Sequence, residues 1–254
     1  MIPLVAIAGL FGLLVGSFAN VCVHRIPRHE SISFPGSHCP ACAHAIAWYD
    51  NVPLLSYLLL GGRCRHCGTH IAWRYPVLEG LMGASWAALA WHFGPTLALP
   101  MALVLVTLLW ILTLIDLETG LLPDALTLPG IGVGLGFSFW LGDPVASLIG
   151  AVAGYGIFWL VARVFVLVTG REGLGYGDFK LLAMLGAFFG WKSLPFIVFT
   201  SSLAGAVVGG LYLWLGRRGM RVAVPYGPFL AAGGVAWLLW GQDSLRWYLG
   251  MAGG

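Results

Sequence analysis

The 254-residue chain is 59% hydrophobic and only 9% charged, with a mean hydropathy of +0.88. A soluble domain carries about 25% charged residues, so this composition excludes a water-soluble globular protein and points to lipid. The net charge of +3 and the pI near 8.7 come from arginines gathered between apolar runs; they read as topology signals, and no nucleic-acid partner is expected.

A membrane-spanning helix needs about 17–25 largely apolar residues. By that ruler the chain is an all-α polytopic membrane protein with about eight transmembrane helices. They fall at roughly 3–23, 77–93, 97–115, 125–141, 145–168, 179–191, 194–216 and 225–241. The first run has no basic leader region and no small-x-small cleavage site, so it reads as a span of the mature protein. Its Gly9, Gly12, Gly16 and Ala19 are small residues spaced for close helix packing. The organisation expected is a first helix (1–23), a polar insert (24–76) and a membrane core (77–254).

The insert carries Cys39-x-x-Cys42 and Cys64-x-x-Cys67, with 21 residues between the pairs. Two such knuckles read as a four-thiolate zinc ribbon, because each turns two thiolates toward one metal and together they close a tetrahedron. Four sulfurs leave no open coordination position, so the ion is structural rather than catalytic. Two disulfides or a redox motif are the competing readings; a reducing compartment disfavours the first, and no β–α unit accompanies the second. His38, His44, His66 and His70 flank the knuckles and read as solvated loop residues. Cys22, in the first span, reads as a small packing residue.

Basic residues set the orientation. Arg25, Arg28, Arg63, Arg65 and Arg74 lie between the first two spans, Arg171 before the sixth, and Arg217, Arg218 and Arg221 before the eighth. With alternating spans these share one face with Arg163 and Lys180, and only Lys192 and Arg246 lie opposite. That face is expected to be cytoplasmic.

Two carboxylates then fall at the same membrane boundary. Asp116 closes MALVLVTLLWILTLID, where a negative charge at a helix C-terminus has the wrong sign for the macrodipole. Asp178 follows Gly175-Tyr176-Gly177, glycines that permit close approach of another segment. An ionisable group at such a place is a functional hypothesis by default. An N-cap role is the plainer alternative for Asp178, and it suffices for Asp124, which follows Pro123. Lys180 stands close enough in sequence to hold one carboxylate ionised. Two neighbouring carboxylates do not both ionise easily, so Asp116 and Asp178 read as a dyad sharing a proton.

The segments GSFANVCVHRIPR, FPGSHCPAC with GGRCRHCG, RYPVLEG, LIDLETGLLPDALTLP, GLGYGDFKLLAMLGAFFGW and PYGPFLAAGG occur in that order. In this the chain resembles the bacterial prepilin peptidases (type IV leader peptidases), membrane aspartic proteases of the GxGD type. The resemblance implies that Asp116 and Asp178 are catalytic, with Asp124, Lys180, Gly175 and Gly177 in support. It implies cleavage of prepilin and pseudopilin leaders at the cytoplasmic face of the inner membrane, in pilus assembly or type II secretion. It also implies N-methylation of the new N-terminus with S-adenosylmethionine, although no Rossmann glycine fingerprint for that cofactor is present. A transporter would show acids within the spans or inverted repeats, and neither is found. A zinc-ribbon scaffold without chemistry would tolerate loss of both aspartates. A metalloprotease lacks its H-E-x-x-H.

Overall fold

A computed structural model describes residues 1–170, 175–214 and 225–252. Of the predicted features, Arg171, Arg217, Arg218 and Arg221 and the end of the seventh span (215–216) lie outside the described residues. The fold is α-helical, with no strand among the described residues. Among the described residues, eight helices fall in the eight predicted intervals: α1 Ile2–Arg25, α3 Arg74–Phe93, α4 Ala98–Thr119, α5 Asp124–Leu141, α6 Pro144–Thr169, α7 Tyr176–Phe189, α8 Leu194–Trp214 and α9 Gly227–Ala252. A short α2, Leu55–Leu59, lies in the insert.

Among the described residues, five segments are long and apolar enough to cross a bilayer: Ile2–Arg28, Ala98–Thr119, Asp124–Leu141, Pro144–Thr169 and Trp191–Leu211. Helix α7 has 14 residues, a length of about 21 Å against a hydrocarbon core of about 30 Å. In α9 the apolar stretch is confined to Gly227–Gly241. Polar groups such as Arg74, Glu79 and His92 dilute α3, and Glu79, buried inside the predicted 77–93 span, corrects the expectation that no acid lies within a span.

The chain forms two compact units, Met1–Ile111 and Leu112–Gly254, with α4 running through the boundary. In the first unit α1 packs on α3 through the small residues expected of it. A Cβ on Gly12 would lie 2.9 Å from the Gly83 Cα, and one on Gly16 would lie 2.8 Å from the Glu79 Cα. Backbones this close need glycine at the crossing. Asn20 fixes the same contact by donating to the Gly16 and Tyr75 carbonyls. The insert is tied down by Arg25, whose guanidinium donates to the Ser31 and Gly36 carbonyls, and by an Arg65–Asp50 pair.

In the second unit α7 is the core helix. Every residue from Leu181 to Phe188 is buried, as in a helix apolar on all sides and enclosed by neighbours. Helix α6 meets it through Gly150 and Gly154, and α5 through Gly134. A Cβ on Gly186 would fall 2.2 Å from the Gly150 carbonyl oxygen. Small residues of α6 face inward while Val152, Leu160, Leu167 and Val168 stand exposed, the arrangement suited to lipid rather than water.

Candidate active site

Helix α4 extends one turn beyond the predicted span and ends at Gly120, whose left-handed φ of +67° lets its amide donate to the Asp116 carbonyl. Asp116 therefore sits inside the last turn, with the residue only 6% exposed. Its Oδ2 accepts the Gly227 backbone N–H, at the start of α9, at 2.9 Å. A Cβ on Gly227 would lie 2.5 Å from that oxygen, so the carboxylate rests directly on bare backbone.

Asp178 is the third residue of α7, and the N-cap position belongs to Gly175. Its carboxylate accepts the Gly175 N–H, the reach-back of a capping-box acid. It is 8% exposed, and the Asp116 carboxylate lies close enough to act on it electrostatically. Leu122 explains how these elements meet: Cβ atoms on Gly177 and Gly227 would approach its side chain to 2.6 and 3.3 Å. The α4–α5 loop thus wedges between the starts of α7 and α9, and glycine is required on both sides.

Lys180 does not serve the two buried carboxylates. Its Nζ pairs with Asp124 Oδ1 at 2.5 Å. Residues two apart on a helix point away from one another, which is why Lys180 and Asp178 diverge. Asp124 is the first residue of α5, with Pro123 in extended conformation as N-cap, so the expected capping role is replaced by the ion pair. An acid in the first turn still favours the helix dipole.

In the first unit the four cysteines converge. The Sγ atoms of Cys39, Cys42, Cys64 and Cys67 all lie within 4.8 Å of one another, and Cys39 Sγ to Cys67 Sγ is 3.8 Å. A tetrahedral Zn–S₄ site with bonds of about 2.3 Å has edges of about 3.8 Å, so the donor set fits that ion. The two knuckles repeat one turn. Cys39 and Cys64 amides bond to the His44 and Thr69 carbonyls, and the residue after each second cysteine, Ala43 or Gly68, has φ of +56° or +73°. Hydrogen bonds from Thr69 pull the Cys67 thiol down to about 6. Backbone bonding at His44 draws the Cys42 thiol down, but desolvation and the crowding sulfurs outweigh it and push that thiol up to about 11. None of the flanking histidines joins the cluster; His44 and His66 stack on one another at 4.2 Å.

Residues 10–93 match the model of the Bacterial Peptidase A24 N-terminal domain, and residues 103–210 that of the Type IV leader peptidase family. The Prepilin leader peptidase/N-methyltransferase of Burkholderia pseudomallei (strain 1026b) is 43% identical over 263 residues, covering 93% of this chain and 85% of the relative. The protein of the same name from Pseudomonas aeruginosa is 43% identical over 272 residues, covering 96% and 93%. That from Aeromonas hydrophila is 43% identical over 269 residues, covering 94% and 92%. The chain belongs to the type IV leader peptidase family. No solved structure matches it.

For this leader peptidase, two contributors to the carboxylate site escape sequence reasoning. Leu122 is an ordinary leucine in a loop, and nothing local marks it. Gly227 has a signal in hindsight: Pro225-Tyr226-Gly227-Pro228 is a rigid turn placed just before an apolar run. Tyr226 anchors that turn through hydroxyl contacts of 2.8 and 3.1 Å with Ser201 and Ser202 of α8.

Proposed function

We propose that Asp116 and Asp178 are the catalytic pair of a membrane aspartic endopeptidase that removes the leaders of type IV prepilins and pseudopilins. The observation that supports this reading is the approach of two buried carboxylates, each accepting a neutral backbone N–H and neither paired to a cation among the described residues. Close carboxylates without a counter-ion hold one proton between them. The ionised member takes a proton from water as its oxygen attacks the scissile carbonyl. The protonated member hydrogen-bonds the developing oxyanion and then supplies a proton to the leaving amine. Because the pair titrates as a unit, acid and base roles belong to the pair.

Asp124, Lys180, Gly175 and Gly177 take supporting parts. The Asp124–Lys180 pair joins the starts of α5 and α7, and Gly177 admits Leu122. The functional division is a first helix (1–23), an insert (24–76) and a peptidase core (77–254). The insert and the active site face the cytoplasm from the inner membrane, as the crowding of arginines between the first two spans supports. Zinc on Cys39, Cys42, Cys64 and Cys67 closes the insert and contributes folding free energy there. S-adenosylmethionine, the second activity's methyl donor, supplies a methyl group to the amine freed by cleavage.

The test is mass spectrometry of a synthetic prepilin incubated with the purified full chain. The expected product begins at the hydrophobic residue after the leader's terminal glycine. An uncut substrate, or cleavage inside the mature sequence, would contradict the reading.

A further inference from the structure

The insert reads as polar in sequence, yet its short helix α2 (Leu55–Leu59) is turned inside out for a domain bathed in water. Ser56 is buried, and its hydroxyl donates to the Tyr49 carbonyl while accepting the Val52 N–H. Tyr57 also turns inward, its hydroxyl donating to the Ile71 carbonyl at 3.4 Å. Leu55, Leu58 and Leu59 point outward, and the last two are 74% and 76% exposed. Adjacent leucines bared to that extent on a small domain mark a surface that something apolar covers.

The depth of α2 is set by α3. The Leu54 amide, immediately before α2, donates to Glu79 Oε2 at 2.9 Å. The Leu54 side chain reaches Gly80, 4.0 Å from where a Cβ would stand. Glu79 in turn packs against Gly16 of α1. Gly16 lies about 14 Å along the axis from the Arg25 end of α1, whereas the headgroup layer is about 5–8 Å thick. Helical side chains lean back toward the N-terminus, so the Glu79 carboxylate stands about one turn nearer to Arg74. Even so, Leu54 is at the acyl-chain boundary rather than in water. Val77, one turn from Gly80 on the same face of α3, is exposed as well. The outer apolar surface of α3 therefore continues onto α2.

We propose that α2 is an interfacial helix, with Leu55, Leu58 and Leu59 seated among the acyl chains of the leaflet in which α1 ends. The insert is thereby moored to the bilayer at a further point besides α1 and α3. Lipid is the occupant that the position selects, because the face lies at bilayer depth and adjoins the outer surface of α3. It is flanked in sequence by the exposed Arg63 and Trp73, residue types that sit at headgroup level. This mooring is independent of the peptidase chemistry proposed above.

Photolabelling from within the bilayer tests the seat without any variant. The intact wild-type chain is reconstituted into phosphatidylcholine–phosphatidylglycerol vesicles that carry a phospholipid with a diazirine on its acyl chain. After irradiation, the label is located by peptide mass spectrometry. It is expected on residues 55–59 as well as on Leu10 and Leu14 of α1, which are exposed along that helix. Label on α1 without label on α2 would overturn the inference. Absence of label from both would remove the membrane seating of this unit and the inference with it. Loss of the α2 label on saturation with a synthetic prepilin would give the face to the substrate's apolar helix and overturn the assignment to lipid. The double variant Leu58→Asp, Leu59→Asp is expected to lose the α2 label while its α1 label and gel-filtration profile are unchanged. Full α2 label in that folded variant would overturn the role of the two leucines.

Discussion

Asp116 and Gly227 constrain one another: the carboxylate needs the amide, and the amide is reachable only because residue 227 has no side chain. Gly227→Ala puts a methyl group 2.5 Å from Oδ2, too close for the carboxylate to stay where it is. A misplacement of about 1 Å at a reacting group costs about 100-fold in rate, and a loss of that order is expected in a prepilin cleavage assay. Asp124→Asn is the contrasting case. Its partner Lys180 is a quarter exposed and Asp124 itself more than half exposed, so the pair contributes about 1 kcal/mol at most. Cleavage by Asp124→Asn is expected within tenfold of wild type, while cleavage at background would move the dyad to Asp124 and Asp178. At this scale the sequence carried chemistry well and direction poorly. Asp116 was legible because a lone acid closing an apolar helix has no structural excuse. The pairing of Lys180 with Asp124 was not, because a helix sends residues two apart to different neighbours and sequence proximity gives no hint of them.

Elements in this protein meet at glycines rather than at large apolar side chains, and that is where their stability is exposed to test. Gly186→Ala would drive a Cβ into the Gly150 carbonyl at 2.2 Å, and the α6–α7 contact has only backbone there to yield. Overpacking of this kind costs about 1–3 kcal/mol, expected as a lowered melting temperature in detergent and as weaker cleavage, since α7 carries Asp178. Gly156 of α6 faces open space, and Gly156→Ala is expected to leave the melt unchanged or raise it. The two knuckles give a matched pair of another kind. Gly68→Ala places a side chain at φ of +73°, costing about 1–2 kcal/mol, whereas Ala43→Gly relieves the same conformation in the partner turn. Zinc affinity by competitive chelation is expected to fall in the first and hold or rise in the second. Helix positions were legible because long apolar runs leave little choice. The shortness of α7 was readable too, but its enclosure on all sides was not, because a helix that is apolar all round looks alike whether lipid or protein surrounds it.

For the whole molecule, the division into Met1–Ile111 and Leu112–Gly254 keeps the thiolate cluster and the aspartate pair in separate compact units. Stripping metal with a chelator is expected to open the insert to limited proteolysis near the knuckles. Melting of the 112–254 part, followed by hydrogen exchange, is expected to stay near its starting value. Composition alone established a membrane protein, and basic residues suggested which way it faces. How α4 delivers Asp116 to the start of α9, 111 positions on in sequence, depends on the α4–α5 loop meeting the starts of α7 and α9 at Leu122 and leaves no periodic trace. The central claim is that Asp116 and Asp178 act as one catalytic unit, and the most direct measurement is the prepilin cleavage rate of the purified full chain carrying Asp116→Asn, Asp178→Asn or both. Acid–base groups contribute about 100- to 10,000-fold. Each single variant is expected to lose at least that much while retaining the wild-type melt, with the double variant no worse than either single one. Normal cleavage by either single variant would contradict it.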